Sequence, residues 1–145
     1  MVEFNYAPYV GADVDWHTGA QLNALADGAG VLGETINNAT LRDFYADVEL
    51  TLAQVDLSAE VNPSVAIYLL KAIDGASFSD TRASASTLVM VIDVAVTDAA
   101  HFEVRGPIVI PPGSFKPYLV NNTGQAFTAD NNNHLVARTY SEESN

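Results

Sequence analysis

Cysteine is absent from the chain, so no disulfide, thiolate metal site or cysteine nucleophile enters its chemistry. Basic residues are scarce: six Lys and Arg stand against 18 Asp and Glu, a formal net charge of -12. Arg42, Lys71, Arg82, Arg105, Lys116 and Arg138 are scattered singly, whereas a phosphate-binding surface needs them clustered. A nucleic-acid partner is therefore not expected. Long apolar runs are missing as well. The longest, LVMVI, is far short of a bilayer span, and no membrane partner is expected. The opening MVEFNYAPYVGADVDW has neither a basic stretch nor an apolar core, so no secretory signal is expected in it. These lacks describe a soluble protein made in a cytoplasm.

What is present is a globular composition, 48% hydrophobic over 145 residues, enough for one domain with a real core. Most of the pattern has period 2. In LRDFYADVELTLAQVDL, Ala46, Val48, Leu50 and Leu52 alternate with Asp47, Glu49 and Thr51, as in a half-buried strand. Helical spacing through Leu41, Phe44, Tyr45, Val48, Leu52 and Val55 also fits, but the neighbouring segments favour strand. VAIYLLKAIDG alternates and ends at an Asp74-Gly75 turn. TLVMVIDVAV is apolar on both faces, so it is expected either at the centre of a two-layer stack or under another molecule. HFEVRG places Phe102 and Val104 inward, with His101, Glu103 and Arg105 outward. Residues 107–120 make two strands about a PPG corner: Pro111 and Pro112 fix φ and remove ladder donors, and Gly113 permits the turn. HLVARTYSE closes the series. Roughly seven to nine short strands without a firm helix imply an all-β sandwich or barrel.

Residues 1–20 differ from the rest. Phe4, Tyr6, Tyr9 and Trp16 lie among Pro8, Gly11 and Gly19 with no steady period. Two readings fit: a strand and loop packed on their own domain, or an arm that docks on a neighbouring subunit. The domain division expected from the second is an arm over 1–20 and a β-sandwich over 21–145.

Residue types that carry chemistry do not assemble into a known pattern. Asp13-x-Asp15-x-His17 offers three metal ligands on one side of an extended segment, but short acidic triplets in loops are commonly just solvated. Asp47 and Glu49 share a strand face, yet a glycosidase also needs an aromatic-lined cleft. Gly28, Gly30 and Gly33 formally match G-x-G-x-x-G, but no apolar strand leads in and no helix opens after them. Ser64, Ser84, Ser86 and Ser114 lack a G-x-S-x-G setting. Asn38-Ala39-Thr40 and Asn121-Asn122-Thr123 read as turn chemistry. Neither an enzyme, nor a cofactor, nor a bound metal is expected.

The blocks LADG, YADVELTLA, VAIYLLKAIDG, PIVIPPGSFKPYLVNNTGQAF and HLVARTYSEE, in that order over residues 22–142, resemble small virion proteins of tailed bacteriophages. The resemblance implies a single β-sandwich of jelly-roll type that decorates or cements the capsid from outside. It implies the major capsid protein as partner, together with self-association into a homo-oligomer. A tail, neck or fibre position in the virion is the alternative, and a carbohydrate-binding module is another. On the leading reading Phe4, Tyr6, Tyr9 and Trp16 are the expected capsid contacts, and Val89 and Val91 the self-association face.

Overall fold

The computed structural model describes residues 4–6, 13–40, 42–72, 74, 76–78 and 87–144. Its elements in chain order are β1 (Phe4–Tyr6), β2 (Val14–His17), α1 (Gly19–Leu22), β3 (Gly30–Leu32), β4 (Ile36–Asn37) and β5 (Tyr45–Asp56). There follow β6 (Ser64–Ala72), β7 (Leu88–Asp93), β8 (Asp98–Val109), β9 (Ser114–Asn122), β10 (His134–Tyr140) and β11 (Glu142–Ser144). One sheet runs β2-β10-β5-β8; the other runs β3-β9-β6-β7, with β4 also paired to β9. β1 and β11 form a separate antiparallel ribbon, and every pairing in the two main sheets is antiparallel. The protein is an all-β chain with two sheets packed over one core.

Alternation builds that core. On β5, Ala46, Val48, Leu50 and Leu52 are all buried while Asp47, Glu49 and Thr51 face the other way, so strand periodicity wins over the helical reading. Beside them in the same sheet are Leu135 and Ala137 of β10, and facing them from the other sheet are Val65, Ile67 and Leu69 of β6 and Phe115 and Leu119 of β9. Trp16 meets Phe115 edge-on, with ring centroids 5.7 Å apart and planes at 79°. Burying side chains of this size at about 1.5–3 kcal/mol each is what holds two sheets together.

Residues 14–17 follow the first of the two readings and not the free arm: they are an edge strand paired to β10, and Trp16 is fully buried. The expected boundary at residue 20 therefore falls inside the sandwich. An indole is the chain's largest apolar group, and covering it with two sheets removes more surface from water than leaving it on an arm. Residues 1–3 and 7–12, Tyr9 among them, lie outside the described residues.

Three further points concern registers and turns. β8 takes the phase opposite to that expected, with His101 buried and Phe102 and Val104 exposed. Its phase is set by β5: Glu103 stands opposite Leu50 and His101 opposite Leu52, so these two face inward and Phe102, opposite Thr51, faces out. β7, expected at the centre of a stack or under another molecule, is the outer strand of its sheet, which removes the first of those alternatives. At the PPG corner Gly113 does not use a left-handed backbone, and a Cβ there would come no closer than 3.9 Å to Ala72 O. The prolines and the hydrogen bonds from Asn38 to Pro111 O and Gly113 O shape that corner.

Three buried asparagines lock the loops to this frame. Asn38 donates through Nδ2 to Asp43 O (2.7 Å) and Pro111 O (2.8 Å). Asn121 donates to Leu25 O (2.9 Å) and Gln125 O (2.8 Å), while its Oδ1 accepts from Thr123 N (2.9 Å). Asn133 accepts from Ala53 N–H (2.7 Å) at a bulge in β5 and donates to Thr128 O (2.7 Å). Buried backbone groups that the ladders leave over are thereby satisfied.

Candidate functional site

The structure separates the chemistry-bearing groups that the sequence placed near one another. A register shift in the β2–β10 pairing breaks the alternation over Asp13, Asp15 and His17. Asp13 and Asp15 stay exposed, whereas His17 turns into the core beside Trp16. Asp13 forms an ion pair with Arg138. Among the described residues no three His, Asp or Glu side chains group as metal ligands.

His17 is the most perturbed titratable group of the interior. Burial pushes its pKa down to about 4, opposed by the hydrogen bond its Nε2 makes with Val31 O at 3.1 Å. Its Nδ1, like Nε1 of Trp16, has no hydrogen-bond partner among the described residues. Gly33 is packed against this pair, since a Cβ there would stand 2.0 Å from Trp16 O and 3.0 Å from the His17 ring. Gly30 in turn lies under the Tyr118 ring. These two glycines of the G-x-G-x-x-G string thus serve close packing, and Gly30 opens a strand rather than a helix.

Asp47 and Glu49 do share the outer face of β5. With Asp13, Val104, Val136 and Arg138 they line a shallow cleft of about 230 Å³. Tyr140 donates from its hydroxyl to Asp47 at 3.4 Å, and His134 lies 3.7 Å from Glu49. No aromatic ring lines this cleft among the described residues. Aromatic pairs occur elsewhere: Tyr68 and Tyr118 on the outer face of the other sheet are tilted by 58°, and Tyr45 and Tyr140 by 32°. Neither pair presents the coplanar rings on which a sugar stacks.

The surface that stands out is apolar and lies along the sheet edges. On β7, Val91 is half exposed opposite Ala66. A bulge at Val89 sends that side chain toward the core, where with Leu69, Lys71, Thr87, Val109, Ile110, Pro111 and Pro112 it lines a groove of about 490 Å³. The expected pairing of Val89 with Val91 on one face is thus split by the bulge. On β8, Phe102 is 62% exposed, Val104 51% and Val109 70%. Reading HFEVRG as an ordinary in-out strand missed this edge, and only the β5 register reveals it. Of the expected contact residues, Trp16 is core, and Phe4 and Tyr6 fall in β1, whose backbone pairs with β11. No family model matches the chain, and no significantly similar curated protein is found.

Proposed function

We propose that this chain is a non-enzymatic structural protein of a tailed-phage virion, a decoration or cement protein that binds the major capsid protein from the capsid exterior. The observation that carries the reading is strand order. Leaving aside the β1–β11 ribbon and short β4, the eight remaining strands read first, eighth, third, sixth in one sheet. In the other they read second, seventh, fourth, fifth. That order supports a jelly roll, the architecture of viral shell domains. Fold alone does not assign function, so the block resemblance supplies the virion, and the apolar edges supply surface for binding. A net charge of -12 suits a subunit outside a shell packed with DNA, since it opposes adhesion to nucleic acid.

The test is co-sedimentation with shells assembled from the major capsid protein alone, followed by image reconstruction. The chain should pellet with the shells and occupy ordered positions on their outer surface. Density confined to the tail or neck would replace the capsid reading by its alternative. Deleting residues 1–12 tests the arm, and binding should fall at least about tenfold while the sandwich stays folded. A deletion through residue 16 would not serve, because it removes Trp16 from the core.

A further inference from the structure

β8 spans 12 residues at the edge of its sheet, and among the described residues only β5 pairs with it. Among the described residues no backbone hydrogen bond joins its far side to another segment. Proteins usually blunt such an edge with charge or proline, and β8 carries Glu103, Arg105 and Pro107. Here the two charges have opposite sign and stand two residues apart, their side chains in contact at 2.8 Å. Their spacing has a geometric consequence. When a strand pairs antiparallel with a copy of itself, residues equally distant from the centre face each other.

We propose that β8 pairs with β8 of a second copy of this chain, antiparallel about a two-fold axis at Val104. In that register Glu103 of each copy faces Arg105 of the other, so charges that would repel a foreign strand become complementary twice over. Phe102 faces Gly106, and an aromatic opposite a glycine covers backbone that the glycine leaves bare. Val104 meets its own copy at the axis. The exposed outer face of Phe102 and Val104 becomes continuous across the pair, and the ladder is confined to residues 102–106, because Gly106 and Pro107 both stand against Asp47 of β5 and shift the phase beyond them. Pro107, at the bulge, brings no ladder donor and ends the pairing on each side. The contact is isologous and closes at two subunits, so the edge is used up and does not template a fibre. It stands on edge geometry and charge, independently of any virion role.

The absence of cysteine makes the test direct. Residues directly opposite in an antiparallel ladder have Cα atoms about 4.5–5.5 Å apart, within disulfide reach. Val104→Cys should therefore cross-link to its own copy under mild oxidation. Val109→Cys, more exposed but off the axis and beyond the bulge, should not. Both side chains are at least half exposed, so neither change threatens the fold, which circular dichroism will check. By sedimentation the wild-type chain should dimerise. Arg105→Glu should raise the dissociation constant at least about tenfold, and adding Glu103→Arg should restore it. A wild-type chain that stays monomeric, equal cross-linking at both positions, or a dimer indifferent to Arg105→Glu would each overturn the proposal.

Discussion

His17 shows how one buried side chain ties stability to pH. Its ring is fully covered, and burial lowers its pKa from 6.5 to about 4. Between those values the unfolded chain takes up a proton that the folded chain refuses, so stability rises with pH across the window. The contribution is complete above pH 6.5 and has fallen by about 3 kcal/mol at pH 4. Urea unfolding at pH 7 and pH 4.5, followed by fluorescence of the single tryptophan, should show this loss. His17→Gln should flatten the dependence between those two values. An unchanged slope in the variant would mean that another group sets it. Asp74, whose carboxylate accepts from the backbone of Ser77 and Ala76, is held down to about 2 and acts in a lower range, so the effects separate.

Elements in this fold depend on where their alternation is interrupted. The side chains of β5 alternate strictly to Leu52, while its register against β8 shifts between Ala46 and Val48 and again between Leu52 and Val55. The freed N–H of Ala53 is taken by Asn133, which arrives from the turn before β10. Asn133→Ala should therefore cost about 1–3 kcal/mol, because it leaves partly buried backbone groups unpaired. A shift of the urea midpoint without a change in slope would report it, and a loss under about 0.5 kcal/mol would show that the clamp is dispensable. β5 was legible in the sequence once its strand-like neighbours were weighed, since Asp47, Glu49 and Thr51 mark one face but helical spacing fitted as well. β8 was not. Phe102 and Val104 are the apolar members of HFEVRG, and local pattern sends them inward. Their actual direction follows from the partner strand, whose Leu50 and Leu52 have the stronger claim on the core.

For the whole molecule, buried side chains from both sheets join in one cluster, so neither sheet has a core of its own. Unfolding should then be a single transition, with Trp16 fluorescence and far-ultraviolet dichroism giving the same midpoint. Separated midpoints would show that the sheets melt independently. The acidic surface acts at the same scale. Two copies each carrying -12 repel at long range, so any association must come from short contacts such as those along β8.

Composition and period alone determined that this chain is an all-β domain with an acidic surface, because strand alternation and charge are local properties. They located most of the core face. They did not locate the apolar edges, the burial of Trp16 and His17, or the separation of Asp13 and Asp15 from His17. Those follow from strand pairing and bulges, where a shift of one residue turns a side chain to the opposite face. Only the packing of one sheet on the other selects which phase each strand adopts.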